Sequence, residues 1–433
     1  MPASGTTAEA CPRAAPANSP ARVLFASLIG TTIEFFDFYI YATAAVLVFP
    51  RLFFPAGDPT AATLQSLATF ALAFFARPVG SAVFGHFGDR IGRKATLVAA
   101  LMTMGVSTVA IGLLPTHAQV GVLAPALLAL CRVGQGLGLG GEWGGAVLLA
   151  TENAPPGKRA WYGMFPQLGA PIGFILATGA FIALDTWLDE TAFFAWGWRV
   201  PFVGSAVLVG LGLWMRLRLE ETPAFLRVRE RRGLQRLPVL AVAARHPRAL
   251  VAGVFASLST FVIFYLMSVF ALGWATLELG YARDDFLWLQ MLAVGFFALT
   301  IPFSAVQADR RGRRWAMVAV TLAIAVFGLC FELLFVPGDL VRVGGFLVLG
   351  MCLVGFTYGP LGAYLAEQFP TDVRYSGTSL AFNLSGILGA SLAPYAAMWL
   401  AARFGIASVG WYLTVAALLT LAALLLAPRA RDD

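Results

Sequence analysis

Twelve long runs of apolar residues, separated by short polar stretches, dominate the pattern of this chain. A helix that crosses the hydrocarbon core of a bilayer needs about 20 consecutive, mainly apolar residues, and each run is close to that length. We therefore predict twelve transmembrane helices. Their predicted bounds are 23–49, 62–86, 95–114, 119–141, 162–184, 198–215, 249–273, 286–307, 315–336, 343–366, 377–401 and 407–427.

The polar stretches divide the chain into five parts. Residues 1–22, rich in Ala and Pro, are predicted to be a disordered N-terminus, and the apolar run that follows is too long for a cleavable signal. Residues 23–215 and 249–427 are predicted to form two six-helix halves, joined by a central loop at 216–248 and followed by a short tail at 428–433. The fold class is therefore all-α integral membrane.

Composition supports this class. Hydrophobic residues make up 59% of the chain and charged residues only 12%, with mean hydropathy +0.78, whereas an ordinary soluble domain carries about 25% charged residues. The four cysteines are scattered without a C-x-x-C pair, so neither a disulfide framework nor a metal site is expected. No enzyme motif occurs, and no cofactor is expected.

The positions of the basic residues predict the orientation of the chain. Of 30 Lys and Arg, 23 lie in alternate loops that begin with the N-terminus, five lie in the opposite loops, and two lie within spans. The positive-inside rule then places both termini in the cytoplasm. Because topology accounts for the net charge of +7, we expect no nucleic-acid partner. The expected partners are the lipid bilayer and a small-molecule metabolite, with the chain acting as a monomer.

Two motifs occur once in each predicted half. Gly85-x-x-x-Asp89-Arg90-x-Gly92-Arg93-Lys94 closes the second span, and Ala305-x-x-x-Asp309-Arg310-x-Gly312-Arg313-Arg314 closes the eighth. Glu152-x-x-Pro155-x-x-x-Arg159 and Glu367-x-x-Pro370-x-x-x-Arg374 form the second pair. A transporter built from such repeats binds its substrate at the repeat interface near the midplane of the bilayer.

The first motif resembles the signature of the major facilitator superfamily. Further stretches resemble its metabolite:H⁺ symporter family, closest to the bacterial inner-membrane metabolite transport proteins, over about residues 22–427; they are Gly30 to Tyr41, Arg77-Pro78, Arg132 to Gly136, Gly141 to Gly145 and Glu221-Thr-Pro223. The resemblance implies two pseudo-symmetric halves, alternating access, and proton-coupled uptake of an organic acid or zwitterion across the bacterial inner membrane. Ala305 replaces the first glycine of the signature.

Five ionisable side chains fall in the apolar runs or, for Glu142, directly at the end of one: Glu34, Asp37, Arg77, Arg132 and Glu142. A charge at the centre of a membrane helix costs about 2.5–3.5 kcal/mol even on the mild insertion scale. These groups must therefore pair, lose their charge or line water. They either form a structural salt-bridge cluster or mark a substrate and proton pathway, the usual role of intramembrane charges.

Asp37 is the first candidate for the coupling proton, with Glu34 as its rival and Arg132 as the group that adjusts its proton affinity. At about 1.5 Å per residue, Asp37 lies about 21 Å from the cytoplasmic end of its span, and Arg132 lies at a similar depth. The pair resembles the first-helix acid and fourth-helix arginine of proton-coupled sugar porters. Glu142 is assigned to packing or gating.

Arg77 is the candidate for a substrate carboxylate, because its guanidinium offers two parallel donors. Alternatively, it is a structural partner of Glu34 or Asp37. Further candidates for substrate contact, each alternatively a core residue, are Arg132, Tyr41, Gln135, Tyr265, Tyr358 and Asn383.

The repeated motifs are predicted to act as gates that hold helix ends together in one state and release them in the other. In the simpler interpretation, the motifs only fix the orientation of the chain in the membrane. Two further functions stay open besides proton symport: an uncoupled facilitator or exporter of the same fold, and a membrane sensor that transports nothing.

Overall fold

The computed structural model describes residues 20–54, 59–218 and 238–427. The predicted N-terminal segment 1–22 lies almost wholly outside the described residues. Most of the predicted central loop and the whole tail at 428–433 also lie outside them.

The described residues form twelve long helices. They are α1 (Pro20–Leu47), α2 (Pro59–Arg90), α3 (Arg93–Leu113), α4 (Leu123–Glu152), α5 (Arg159–Trp187), α6 (Arg199–Leu217), α7 (Pro247–Tyr265, continuing through a π-helical turn at Leu266–Phe270 to Ala271–Leu277), α8 (Arg283–Arg311), α9 (Arg313–Leu329), α10 (Leu340–Glu367), α11 (Arg374–Gly386, continuing through a π-helical turn at Ile387–Ser391 to Ala393–Phe404) and α12 (Ala407–Leu426).

The prediction of a twelve-helix membrane protein in two six-helix halves is confirmed. Eleven of the helices in the described ranges are long and apolar enough to cross a membrane. The twelfth, α9, has 17 residues and is followed by the short helix Phe331–Leu334. Helices α1–α6 build the N-terminal half, and α7–α12 build the C-terminal half.

The largest difference from the predicted bounds concerns α4. The apolar run ends at residue 141, but the helix continues to Glu152. Glu142 and the glycines around it lower the local hydropathy, although nearly all of this segment is buried against other helices. Glu142 therefore lies well inside a membrane helix. Within the predicted central loop, a short helix at Pro238–Arg245 precedes α7.

Two glycines make the turns within the repeated motif. Gly92 separates α2 from α3 with φ 128°, and Gly312 separates α8 from α9 with φ 95°. Residues with a Cβ rarely adopt such positive φ angles, whereas glycine does so at little cost. The same turn therefore ends the second helix of each half and begins the third.

Close contact between α4 and α2 fixes the position of Arg77. A Cβ added at Gly140 would overlap the main-chain carbonyl of Arg77 and would lie 2.8 Å from the Ser81 amide nitrogen. One turn away, a Cβ at Gly136 would lie 2.6 Å from the Ala73 carbonyl oxygen. Small residues at these positions let the two backbones touch, as is common in membrane proteins.

We expect Gly140→Ala to lower stability, because the methyl group pushes α4 away from the α2 backbone at Arg77. Overpacking of this kind costs about 1–3 kcal/mol. The matched control is Gly204→Ala on α6, where the added Cβ meets no atom within 4 Å. Thermal unfolding in detergent should show a clear loss for the first variant only. Equal melting temperatures for both variants would contradict this packing.

Candidate functional site

A cavity lies between the two halves, and the space free of protein atoms within it and at its mouth, open solvent included, is about 540 Å³. Its walls are mainly aromatic. The N-terminal half contributes Phe38, Tyr39 and Arg77, and the C-terminal half contributes Phe264, Tyr265, Tyr358 and Phe382. Such a concave, mainly apolar site with a few polar groups is the usual form of a small-molecule binding site.

Arg77 is the charged residue of the cavity wall. Its Nη2 lies 3.8 Å from Oε1 of Glu34 on α1, and its guanidinium lies 5.9 Å from the ring centroids of Phe38 and Phe74. Glu34 is fully buried, and neither of its carboxyl oxygens accepts a hydrogen bond. Arg77 thus combines the two predicted arrangements, since it lines the cavity and also pairs with Glu34.

Asp37 faces a different neighbour. Its Oδ1 accepts a hydrogen bond of 2.6 Å from Ser205 on α6, and its carboxyl also interacts with the Thr108 side chain on α3. Among the described residues, no ion pair joins it to Arg132. Asp37 is one of the buried residues of α1, and it is absent from the cavity wall.

Arg132 is held by neutral groups. Its Nη1 donates to Gln135 Oε1 at 3.0 Å, and its Nε and Nη2 each lie 3.4 Å from the Phe70 carbonyl oxygen. The guanidinium also lies 4.0 Å from the Tyr41 ring centroid. Gln135 in turn donates to Thr108 Oγ1 at 2.8 Å, and Thr108, which lies beside Asp37, donates to the Met104 carbonyl at 3.1 Å.

The predicted substrate-binding residues fall into two groups. Arg77, Tyr265 and Tyr358 line the cavity. The others make contacts elsewhere: Tyr41 hydrogen-bonds Thr69 at 2.8 Å, and Asn383 donates to the Gly140 carbonyl at 3.0 Å. Arg132 and Gln135 bond to each other, as described above. Substrate contact stays a prediction for both groups.

Glu142 pairs with an arginine that the sequence analysis placed in the central loop. Arg216, near the end of α6, reaches into the N-terminal half, where its Nη2 lies 2.5 Å from Glu142 Oε1 and its Nη1 donates to the Leu97 carbonyl at 2.8 Å. The guanidinium packs directly on Gly30 of α1. A buried carboxylate is stable only beside a cation. The need of Glu142 for such a partner was the one feature of the sequence that could have pointed to Arg216.

The repeated motifs meet at one end of the molecule, here called the motif face. Asp89 accepts hydrogen bonds from the Tyr375 and Ser376 amides, at 3.2 and 2.9 Å, where α11 begins. Asp309 of the second motif accepts hydrogen bonds of 2.9 and 2.8 Å from two amides at the start of α5. Each half thus places a carboxylate at a helix N-terminus of the other half, where the helix dipole stabilises negative charge.

The second pair of motifs also connects the two halves. Arg374 lies 3.9 Å from Glu152, and Arg159 lies 3.7 Å from Glu367. Each glutamate also pairs with an arginine of its own half, since Arg93 lies 3.6 Å from Glu152, and Arg313 Nε donates to Glu367 at 2.8 Å. The two networks have the same pattern and are related by the repeat.

The remaining motif residues also lie at the motif face. Lys94 donates to the Leu217 carbonyl at 2.8 Å, and Arg314 donates correspondingly to the Leu425 carbonyl. Gly85 packs against Ser376 of α11. Arg90 contacts His86 at 3.2 Å, and Arg310 is exposed.

Aromatic stacking closes the cavity towards the motif face. Trp143 of α4 stacks on Phe382 of α11 with 3.5 Å between ring centroids, and Gln167 of α5 donates to the Tyr358 carbonyl at 2.8 Å. Throughout the described ranges, the hydrogen bonds and ion pairs that join the halves lie at this level or nearer the motif face. The two halves are therefore closed against each other at the motif face.

Comparisons with known proteins cover nearly the whole chain. Residues 23–246 match the family model "Sugar (and other) transporter", and residues 256–433 match "Major Facilitator Superfamily". An inner membrane metabolite transport protein of Escherichia coli (strain K12), YhjE, is 56% identical over 100% of both chains. The shikimate transporter of the same strain is 35% identical over 88% of each chain. A proline/betaine transporter of Salmonella typhimurium is 34% identical over 88% of this chain and 77% of its own length.

Solved structures show the same fold. The proton:xylose symporter XylE bound to 6-bromo-6-deoxy-D-glucose matches 94% of both chains with a TM-score of 0.74 at 17% identity. A partially occluded, inward-open structure of XylE from E. coli matches with a TM-score of 0.66, also at 17% identity. At this level of identity the likeness concerns the fold alone.

The buried pair Glu142–Arg216 predicts a specific pattern of stability changes. Glu142→Gln or Arg216→Met alone leaves one buried charge without its partner, a loss that costs about 3–5 kcal/mol. The double variant removes both charges and should be more stable than either single variant. Thermal unfolding of the four proteins in detergent measures the coupling as a double-mutant cycle. Additive losses would show that the pair contributes no coupling energy.

Proposed function

The chain belongs to the major facilitator superfamily and is a membrane transporter rather than an enzyme, and we propose that it takes up a small carboxylate-bearing metabolite together with a proton. The two halves rock about the central cavity, which opens to one side of the membrane at a time. Two of the relatives named above are transporters of shikimate and of proline or betaine. Each of these compounds carries a carboxylate, and this supports a carboxylate-bearing substrate here.

The ion pair between Glu34 and Arg77 carries this proposal. Arg77 lines the cavity, and Glu34 holds its guanidinium from behind at 3.8 Å. A substrate carboxylate and the Glu34 carboxylate therefore compete for one cation. When Glu34 takes up a proton it becomes neutral, and the full charge of Arg77 is then available to the substrate. Binding of the proton and of the substrate is thus coupled through Arg77.

The transport cycle follows from this competition. With the cavity open to the outside, a proton neutralises Glu34 and the substrate carboxylate binds Arg77. After the halves rock, the substrate leaves to the cytoplasm, Glu34 releases its proton, and its carboxylate pairs with Arg77 again. Each cycle moves one proton and one carboxylate group in the same direction.

Asp37 and Arg132 have a supporting role in this proposal. Asp37 is directed towards Ser205 and is absent from the cavity wall, and among the described residues no ion pair joins it to Arg132. The charges of the Asp37 carboxylate and the Arg132 guanidinium compensate each other within the N-terminal half, and neither group contacts the substrate. Asp37 remains the rival proton carrier that the experiment below separates from Glu34.

The motif face is cytoplasmic in this proposal. The support is the distribution of Lys and Arg, 23 against five, together with the inner-membrane assignment of the relative that is 56% identical. Because the halves are closed at the motif face, this structure then represents a state closed to the cytoplasm.

Cysteine labelling of whole cells tests the orientation. Val122, before α4, and Lys158, before α5, are both exposed and lie at opposite ends of the molecule. With the native cysteines replaced by serine, we expect Val122→Cys to react with a membrane-impermeant maleimide and Lys158→Cys to react only after the membrane is opened. The reverse pattern would invert the topology.

Two charge-removing variants test the coupling in proteoliposomes. The first step is a screen of radiolabelled carboxylates and zwitterions, including shikimate, proline and betaine, for a transported probe. Glu34→Gln imitates the protonated acid permanently. We expect it to abolish accumulation driven by a pH gradient, while exchange of internal for external probe continues.

Asp37→Asn is the matched comparison, one turn further along the same helix. It should still accumulate the probe when the pH gradient is imposed. If Asp37→Asn loses accumulation and Glu34→Gln keeps it, the proton belongs to Asp37. If the unaltered protein transports the probe equally with and without a pH gradient, the chain is an uncoupled facilitator.

A further inference from the structure

The walls of the cavity are unusually poor in charge for a site that receives a carboxylate. Of the fourteen described residues that line it, nine are aromatic, and Arg77 is the one that carries a charge. The other polar groups of the wall are the hydroxyls of Tyr39, Tyr265, Tyr358 and Thr260. Thr260 Oγ1 is buried without a hydrogen-bond partner.

A second acidic group on the substrate would find no cation in this cavity. Arg132, the other arginine at this depth, is engaged by the Phe70 carbonyl and Gln135 and is absent from the wall. An ionised carboxylate buried against aromatic rings without a partner is strongly unfavourable. Dicarboxylates and tricarboxylates therefore do not fit.

A primary or secondary ammonium group is disfavoured for the corresponding reason. Its positive charge is best balanced by a carboxylate, and the described residues of the wall offer hydroxyl acceptors but no acidic side chain. Glu34 lies behind Arg77 and, in the proposed cycle, is protonated while the substrate is bound. Amino acids would thus bury their ammonium group with neutral hydroxyl acceptors and without a carboxylate to balance its charge.

A quaternary ammonium group needs no acceptor and can bind to aromatic faces. The charge balance argues against it here. In the proposed state Glu34 is protonated and Asp37 is ionised. The charges of Asp37 and Arg132 then balance, those of the Glu142–Arg216 pair cancel, and Arg77 is left with its positive charge. A monoanion neutralises the remaining positive charge, whereas a zwitterion leaves it in place and adds a cation near Arg77.

We propose that the cavity is selective for monocarboxylates with an uncharged, ring-containing body. The carboxylate binds Arg77, and the ring lies among aromatic side chains of both halves, including Phe38, Phe264 and Phe382. Aromatic pairs gain from edge-to-face and offset contacts beyond their buried area. Thr260, whose hydroxyl has no partner among the described residues, provides a hydrogen-bonding group for a polar substituent of the ring. This proposal rests on the proposed function for the protonation of Glu34.

Binding to the purified full-length protein tests the substrate class without any proton gradient. The probes share one ring: benzoate, benzamide, terephthalate, 4-(aminomethyl)benzoate and 4-(trimethylammonio)benzoate. Calorimetry at mildly acidic pH measures their affinities. We expect benzoate to bind and each of the other four to bind at least about tenfold more weakly, because each lacks the charge-assisted contact or buries an unpaired charged group.

Two arginine variants locate the contact. Arg77→Lys keeps the charge and loses the two-pronged donor, so benzoate affinity should fall. Arg51→Lys is the matched control, because Arg51 is exposed and pairs with Glu190 at 2.7 Å, away from the cavity. If terephthalate or either ammonium compound binds as tightly as benzoate, the proposed selectivity is wrong. It is equally wrong if benzamide matches benzoate, or if no carboxylate binds.

These outcomes are separable from those of the coupling experiment. Selective binding of benzoate together with gradient-independent transport would leave the substrate class standing and remove proton coupling. Gradient-driven uptake of a dicarboxylate alone would leave coupling standing and overturn the substrate class.

Discussion

The ion pair between Glu34 and Arg77 ties the chemistry of the cavity to the packing of the N-terminal half. A charge buried among membrane helices is stable only when an opposite charge or several dipoles compensate it. The N-terminal half meets this requirement at two neighbouring levels. Gly30 and Glu34 are four residues apart on α1 and share one face, so the Glu142–Arg216 pair, packed on Gly30, lies about one turn from Glu34. Compensation of four charges therefore depends on close contact between α1, α2, α4 and α6.

The C-terminal half makes a different contribution. Apart from Val354, its described residues around the cavity are aromatic or carry hydroxyl groups, and none of them is charged. At the motif face the two halves are equivalent, because each motif aspartate caps a helix of the other half. The contacts that close the motif face are thus symmetric between the two halves, whereas the residues around the cavity are not. In the proposed cycle, a change of protonation in one half alters the contents of the cavity without disturbing the closure directly.

Hydropathy predicts the twelve helices well, because the length of an apolar run reflects the thickness of the bilayer. It fails at α4, where Glu142 and several glycines lower the hydropathy of a segment that is buried in protein. It also places Arg216 in a loop, although its long side chain returns into the bundle. In both cases a charged side chain pairs with another inside the bundle instead of facing lipid. Hydropathy averaged over consecutive residues does not detect such a pair.

The depth of a residue in the membrane predicts its contacts less well than the direction in which its side chain leaves the helix. Asp37 and Arg132 were matched by depth, yet Asp37 contacts α6 while Glu34, three residues earlier, contacts α2. Three residues of an α-helix leave a rotation of about 60° between side chains, which is enough to select a different neighbour in a bundle. The close approach of α4 to α2, set by Gly136 and Gly140, then decides which acid Arg77 meets. The chemistry of this site therefore depends on glycines that carry no chemistry themselves.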